Sequence, residues 1–344
     1  MSGVVPAENS ATAAPGSLRH RVVEIFPGLM TAATIAVAAT FLSEHYGGPV
    51  MLFALLLGMA FNFLSEAGSK TAAGIQFSSK NLLRIAVGLL GAQITITQIM
   101  QLGPTPVITM AAAVVLTIGF GMLAARVFGL STQFGILTGG AVAICGASAA
   151  LAISTVLPRH EQHERDTIFT VVAVTTLSTV AMIAYPIVIA LFHLDHAAVG
   201  LFLGGTIHDV AQVVGAGFSV SEETGNVATF TKLLRVAMLL PVVFGLSYFF
   251  RSRNSAESAK ATFPSFLLVF AALVIINSLG IIPEPILVFI KSVSRWFLVT
   301  AIAGLGVKTS LKQMSAVGGP AIGLVVAETL FLAGLVLAVV LLEL

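Results

Sequence analysis

The sequence has few charged residues and a single cysteine, and both shortages narrow the class of protein. Charged residues make up 9% of the 344 residues, whereas a soluble globular domain has about a quarter. Hydrophobic residues make up 57%, and the mean hydropathy is +1.02. This composition predicts a membrane protein. One cysteine excludes an intrachain disulfide and indicates no redox compartment.

The chain also has little net charge and no enzyme motif. Its formal charge of +2 is too small to indicate a nucleic-acid partner. The sequence shows no activated nucleophile, metal cluster or phosphate-binding loop. The first 18 residues are polar and lack the basic-then-apolar pattern of a signal peptide. We therefore predict a protein that is not an enzyme and has no cofactor, with a disordered cytoplasmic tail over residues 1–22 and one transmembrane domain over residues 23–344.

Two blocks of the sequence match at a separation of 215 positions. The dipeptide Leu90-Gly91 recurs as Leu305-Gly306. Further matches at this separation pair Pro49 with Pro264, Asn62 with Asn277, Thr95 with Ser310, Gln98 with Gln313, and Gly103 with Gly318. Duplicated blocks of membrane helices are typical of secondary transporters. We predict an inverted repeat over residues 49–192 and 197–344, with the elements of the second copy in permuted order.

Nine apolar stretches are long enough to cross a bilayer, which takes about 20 residues. They begin near Ile25, Pro49, Arg84, Pro104, Thr167, Ala228, Pro264, Pro283 and Ala316. Two other apolar stretches, residues 132–157 and 197–220, contain Gly139-Gly140 and Gly204-Gly205 and match each other at a separation of 65 positions. We expect both to be broken at these glycine pairs. The predicted fold is an all-α polytopic membrane protein with about nine transmembrane helices and two broken helical hairpins.

The repeat also predicts how the two broken stretches run. If both crossed the membrane they would point the same way, which contradicts an inverted repeat, whereas re-entrant hairpins make every matched pair inverted. With a cytoplasmic N-terminus, re-entrant hairpins leave only Lys232 and Arg235 towards the outside, as the positive-inside rule favours. Cysteines placed at Gln162 and Asn226 should then report opposite sides of the membrane.

The two broken stretches are where we expect the substrate site. Irregular backbone at membrane depth must line water or a protein cavity, and short helices that begin there direct backbone N–H groups towards an anion. The alternative is that the glycine pairs only allow close helix packing. The predicted substrate-binding residues are Gly139, Gly140, Cys145, Gly146, Ser148, Gly204, Gly205, His208, Gln212, Lys232 and Arg235.

Two acids lie within apolar stretches, Asp209 and Glu328. An ionised carboxylate at the centre of a bilayer costs at least about 2.5 kcal/mol, so such residues face a partner or a transport pathway. We predict that both bind a coupling proton or sodium ion. The alternatives are that Asp209 and His208 cap a half-helix and that Glu328 forms a structural ion pair.

Lys232 and Arg235 are three residues apart and therefore lie on one helical face. The planar fork of an arginine suits oxyanions, so we interpret the pair as anion-binding; the alternative is snorkelling to the interface. Cys145 has no His and acid arrangement that would make it a nucleophile. Asn62 and Asn277 are expected to form hydrogen bonds between helices.

Three motifs together resemble the YeiH-type sulfate exporter family of bacterial inner-membrane proteins. They are Ala-Ile-Cys-Gly-Ala-Ser at 143–148, Ile-His-Asp-Val-Ala-Gln-Val-Val-Gly-Ala-Gly at 207–217 and Thr-Lys-Leu-Leu-Arg-Val at 231–236. The resemblance covers residues 25–344. It implies a relation to bile-acid, arsenite and cation/proton antiporters, with a mobile core domain and a scaffold domain. It also implies motif residues Cys145, Gly146, Ser148, His208, Asp209, Gln212, Lys232 and Arg235.

These observations predict a secondary active transporter that exports a small anion, such as sulfate or a sulfonate, by alternating, elevator-like access. The coupling ion is a proton or sodium. The expected partners are the lipid bilayer and the anion, and a homodimer is expected by analogy with related transporters. Uptake of an organic anion, an anion channel and a membrane enzyme are the alternatives, and the sequence fixes neither the substrate nor the direction of transport.

Overall fold

A computed structural model describes residues 18–46, 49–66, 68–158, 161–250, 265–309 and 319–342. Within these ranges the chain is helical and contains no strand, as the sequence predicts. The helices are α1 (Leu18–Tyr46), α2 (Val50–Ala60), α3 (Ala72–Phe77), α4 (Leu83–Leu90), α5 (Ile96–Gln101), α6 (Thr105–Val127), α7 (Thr132–Ala143), α8 (Ala147–Ser154), α9 (His163–Ala190), α10 (His196–Thr206), α11 (Val210–Val220), α12 (Glu222–Ala237), α13 (Leu239–Phe249), α14 (Ser265–Ser278), α15 (Glu284–Lys308) and α16 (Pro320–Leu342).

Six of the described helical segments are long and apolar enough to cross a membrane. They are His20–Tyr46, Thr105–Val127, His163–Ala190, Glu222–Phe249, Glu284–Lys308 and Pro320–Leu342. The other three predicted spans are shorter or divided. Helix α2 has 11 residues and α14 has 14, and a π-helical turn at Ser78–Leu82 separates α3 from α4. The coarse prediction of a polytopic helical protein is confirmed, while the count of nine spans stays a prediction.

The first helix begins earlier than the predicted end of the tail. Helix α1 starts at Leu18, so residues 18–22 are helical, while residues 1–17 lie outside the described residues. Leucine and arginine are good helix formers, which allows the helix to extend beyond the apolar stretch.

The second broken stretch folds as a hairpin of α10 and α11. His196, at the start of α10, lies 3.1 Å from the hydroxyl of Ser221, just after α11, measured from Nδ1 to Oγ. Gly200 of α10 and Gly217 of α11 both pack against Thr224 in the first turn of α12. Both ends of the hairpin therefore lie beside the same end of α12, which is the geometry that re-entry requires.

The first broken stretch is divided into α7 and α8 in the same way, but the glycine pairs do not form the breaks. The chain leaves the helix at residues 144–146 and 207–209, beyond both pairs. Gly139 instead packs on the backbone of Thr117 in α6, and Gly204 packs on the backbone of Ala228 in α12. The prediction that glycine pairs break the helices is wrong, because they serve close helix packing.

The helices form two groups that differ in what they surround. Helices α6 to α12 and α16 form one group, which contains the two hairpins. Helices α1 to α4, α14 and α15 form the other group and pack on one another. The main contact between the groups is made by α11, which touches α2 and α15. Among the described helices, the hairpins therefore contact the other group mainly through α11.

Two close contacts in the second group repeat with the separation found in the sequence. A Cβ atom at Gly91 would overlap the carbonyl oxygen of Phe270, and one at Gly306 would overlap the carbonyl oxygen of Leu55. Gly91 and Gly306 are 215 positions apart, and so are Leu55 and Phe270. Each half of the chain thus makes the same contact with the other.

The paired asparagines form similarly reciprocal hydrogen bonds. Asn62 Nδ2 donates to the carbonyl of Val307 at 2.7 Å, and Asn277 Nδ2 donates to the carbonyl of Ile94 at 3.3 Å. Their predicted role as hydrogen-bonding residues is confirmed, although Asn62 lies in a 3-10 turn after α2 and Ile94 lies outside a helix. The matched residues Ser310, Gln313 and Gly318 lie outside the described residues.

Candidate functional site

The two breaks lie against each other, and we call residues 144–146 and 207–209 together the crossing. Gly146 has φ +62° and ψ −126°, a conformation that is essentially restricted to glycine. A Cβ atom at Gly146 would overlap the carboxylate of Asp209. The backbone N–H of Ala147, the first residue of α8, faces that carboxylate. Asp209 therefore places negative charge at the N-terminal, positive end of α8.

Lys232 binds both breaks at once. Its Nζ donates to the carbonyl of Ile144 at 2.7 Å and to the carbonyl of Ile207 at 3.0 Å. The lysine has no exposed surface. It therefore joins the two hairpins through one buried amino group.

Arg235 binds the ends of the two half-helices that lead into the breaks. Nε and Nη2 donate to the carbonyls of Ala143 and Val142 at 2.7 Å and 2.6 Å. Nη1 donates to the carbonyls of Gly204 and Ile207 at 3.2 Å and 3.1 Å. Because the helices end here, these carbonyls have no backbone N–H of a following turn to accept from. N–H groups of the two buried cations bind them instead. Snorkelling is therefore wrong for both cations, since neither is exposed.

Hydroxyl groups on α9 and α16 hold the second break. His208 Nε2 lies 3.0 Å from Thr329 Oγ1, the N–H of Asp209 donates to Ser178 Oγ at 3.0 Å, and Gln212 Nε2 donates to Thr179 Oγ1 at 3.4 Å. None of the three hydroxyls was identified from the sequence. Such residues in apolar helices commonly bond to their own helix, as Thr179 also does, so the sequence offers no signal that distinguishes them.

One side of the crossing is accessible, and the rest is buried. Ser148 in the first turn of α8 is exposed, and Asp209 is partly exposed. Cys145 is buried and carries a free thiol. Gln212 is also buried, and its Oε1 has no hydrogen-bond partner. The accessible part therefore consists of the α8 N-terminus, Ser148 and Asp209.

Glu328 lies outside the crossing, in the middle of α16. It has no exposed surface, and its Oε1 accepts a hydrogen bond from Thr138 of α7 at 2.7 Å. Its Oε2 has no hydrogen-bond partner. No basic side chain of the described ranges lies within ion-pair distance of this carboxylate. The structural ion pair that was the alternative for Glu328 is therefore wrong for this part of the chain.

A cleft separates the two groups of helices near the open end of the second hairpin. An exposed ion pair joins Lys291 of α15 to Glu222 of α12 across it. The cleft is lined by Val50, Met51, Leu90, Gln93, Phe218, Glu222, Lys291, Arg295 and Leu298. Its polar residues belong to both groups, so relative movement of the groups would change its shape.

Comparison with known proteins decides the family. The family described as conserved hypothetical protein 698 matches residues 27–325. UPF0324 membrane protein CT0845 of Chlorobaculum tepidum is 58% identical over 91% of this chain and 88% of the relative. The chain belongs to the UPF0324 family of membrane proteins. UPF0324 membrane protein TauZ of Paracoccus pantotrophus is 52% identical over 93% of this chain and 96% of the relative.

In this UPF0324 membrane protein, the three motifs that resemble sulfate exporters are the segments that build the crossing. The motif at 143–148 spans the first break, the motif at 207–217 spans the second, and the motif at 231–236 contains the two cations that bind both. The residues predicted from the motifs therefore do come together. The relation to sulfate exporters and to bile-acid and arsenite transporters stays a prediction.

Proposed function

We propose that this protein is a secondary transporter of a small anion and that the crossing is its substrate site. The observation that carries the proposal is the pair of broken helices whose carbonyl ends bind buried Lys232 and Arg235. Helices that are interrupted at the midplane of the membrane commonly form the substrate sites of secondary transporters.

The charge balance of the crossing favours an anion. Lys232 and Arg235 of α12 both bind the breaks, and Asp209 is the one carboxylate among the described residues of the crossing. A net positive charge in a region of low dielectric attracts an anion strongly. Most donors of the two cations are already bound to carbonyls, so we assign them a role through charge. The direct ligands would be first-turn N–H groups of α8, with Ser148 and Gln212.

Asp209 supplies a mechanism of coupling. Its carboxylate lies at the N-terminal end of α8 and would therefore compete with an anion for that end. Binding of a proton or sodium ion to Asp209 would remove that competition. The anion and the coupling ion would then bind together.

Two features support alternating access. The reciprocal contacts of Gly91 and Gly306 are those expected of an inverted repeat, and the limited contact between the two helix groups would allow the hairpin group to move relative to the other. The resemblance to exporters supports sulfate or a sulfonate as substrate, export as direction and the bacterial inner membrane as location, with a cytoplasmic N-terminus.

Transport by the purified full-length protein in proteoliposomes tests the proposal. Labelled sulfate, sulfite, taurine and a small carboxylate are each offered with no gradient, a pH gradient or a sodium gradient. We expect saturable, gradient-driven accumulation of at least one anion. Protein-free vesicles are the control. Failure of all four probes, or flux that does not saturate, as in a channel, would contradict the proposal.

The orientation can be tested separately by labelling with a membrane-impermeant thiol reagent. Cysteines at Gln162 and Glu223 suit the test because both positions are exposed, whereas Oδ1 of Asn226 is buried. The native Cys145 is also buried, so it should contribute little labelling. Labelling from the same side at both positions would contradict the inverted arrangement.

A further inference from the structure

Glu328 is a buried acid that the proposed substrate site does not use. One oxygen of its carboxylate has a single donor, the hydroxyl of Thr138, at 2.7 Å, and the other has none. A Cβ atom at Gly121 of α6 would lie 2.6 Å from Oε1, so the glycine provides the space that the carboxylate occupies. The packing is thus fitted to a carboxyl group without providing a charge to neutralise it.

Among the described residues, no basic side chain lies within 4 Å of the Glu328 carboxylate. The helices packed on α16 are α6, α7, α9 and α10. Helix α7 has no titratable residue, and those of the other helices are Arg126 of α6, His163, Glu164, Arg165, Asp166 and Tyr185 of α9, and His196 of α10. Thr138 is the one side chain of the described residues that donates a hydrogen bond to Glu328. An ionised carboxylate here would be both desolvated and unpaired, which is costly.

Helix α16 also connects Glu328 to both hairpins. Glu328 bonds to Thr138 of the first hairpin, and the next residue, Thr329, bonds to His208 in the second break. A change of charge on Glu328 would therefore act on the contacts of α16 with both hairpins.

We propose that Glu328 is a proton-carrying site of this transporter, separate from the crossing and additional to Asp209. The inference rests on the proposed function. In the conformation described, the carboxyl group holds the proton; when the site opens to water, the O–H bond breaks, the proton passes to water and the carboxylate remains. One carboxyl group and one hydroxyl do not provide the several oxygen ligands that a hard metal cation takes, so we assign the proton to this site.

Chemical labelling tests the inference without any substrate. Dicyclohexylcarbodiimide is a hydrophobic reagent that reacts with protonated carboxyl groups within membranes. We expect the full-length protein in liposomes to be labelled at Glu328, with labelling that falls as the pH is raised. Glu328→Gln should abolish this labelling, whereas Glu223→Gln, which changes an exposed acid of α12, should leave it unchanged.

Two further variants separate proton carriage from a structural role. Glu328→Asp should keep pH-dependent labelling because it keeps the carboxyl group. Thr138→Val should extend labelling to more alkaline pH, because the ionised form loses its one donor. A Thr138→Val profile identical to that of the wild type would contradict the assigned role of this hydrogen bond.

Transport assays complete the test. Glu328→Gln should lose accumulation driven by a pH gradient while it keeps anion exchange at equal pH, and this retained exchange shows that the variant is folded. Full pH-driven accumulation by Glu328→Gln, or absence of labelling at Glu328 at every pH, would overturn this inference and leave the proposed function standing. Absence of any anion transport by the wild type would instead contradict the proposed function.

Discussion

The two broken segments have the same order of half-helix, break and half-helix but contribute different chemistry. Each has two half-helices around a three-residue break. The first hairpin contributes carbonyl groups, a glycine with positive φ and the exposed Ser148. The second contributes the side chains of His208 and Asp209. Both segments thus bring a three-residue break to the crossing, while the ionisable side chains of His208 and Asp209 come from the second segment.

This difference indicates how the charges at the helix ends of the site are balanced. The carbonyl ends of α7 and α10 are both negative and both need a cation, which a single pair, Lys232 and Arg235, provides for the two hairpins. The positive end of α8 needs an anion, and the second hairpin supplies Asp209. Each hairpin therefore depends on groups that the other hairpin or α12 provides.

The largest effect is expected at Arg235, which joins the hairpins. Arg235→Met leaves four carbonyl contacts unmade, and loss of a partner from a buried charged network costs about 3–5 kcal/mol. We expect a much lower melting temperature in detergent, or no monodisperse protein by size-exclusion chromatography. Arg84→Met, at an exposed position of α4, is the matched control. A wild-type melting temperature for Arg235→Met would show that the hairpins do not depend on the arginine.

The next largest effect is expected in the first hairpin, at Gly146. Gly146→Ala forces a side chain into positive φ, at about 1–3 kcal/mol, and into the carboxylate of Asp209. Both stability and transport should fall, as measured by melting temperature and anion accumulation. Gly245→Ala is the control, because a Cβ atom there meets no atom within 4 Å. Equal behaviour of the two variants would contradict the contact between the breaks.

In the second hairpin, Asp209→Asn should change function more than stability. Asparagine keeps the shape and an oxygen that can accept a hydrogen bond, but it cannot carry a proton or bind a cation by charge. We expect a melting temperature close to that of the wild type and a loss of gradient-driven accumulation. Glu223→Gln should retain both properties. Unchanged coupled transport by Asp209→Asn would remove this residue from the coupling mechanism.

The smallest effect is expected outside the hairpins, at the ion pair of Lys291 and Glu222. Both side chains are about half exposed, and exposed pairs contribute about 0–1 kcal/mol. A double-mutant cycle of Lys291→Ala and Glu222→Ala, followed by melting temperature, should therefore show little coupling. Strong coupling would indicate that the pair holds the two helix groups together.

Much of the fold could be predicted from the sequence because hydropathy and repetition can be read from the order of the residues. Long apolar stretches are visible in the sequence. The matched glycines Gly91 and Gly306 make matching backbone contacts in the structure. The position of the breaks could not be predicted in this way. A glycine pair is equally suited to a break and to close helix packing, and the choice depends on the neighbouring helix, such as α12 beside Gly204.

The candidate site could be predicted only in part, because some of its residues have a signal in the sequence and their partners have none. Asp209, His208 and Lys232 stand out because charged and titratable residues are rare in apolar stretches. The partners of these residues do not stand out, since they are backbone carbonyls and common hydroxyls such as Ser178 and Thr329. A backbone carbonyl is present at every residue, so only its position in space can mark it as a ligand.

The sequence by itself determined that this is a polytopic helical membrane protein with a repeated block and two unusual segments, because hydropathy and repetition are properties of the order of residues. Only the tertiary structure decided what the buried charges do. Lys232 and Arg235 bind the carbonyl ends of two half-helices, and one hydroxyl of the described residues donates to Glu328. Compensation of charge in a low dielectric depends on distances of a few ångströms, and residues far apart in the chain set those distances.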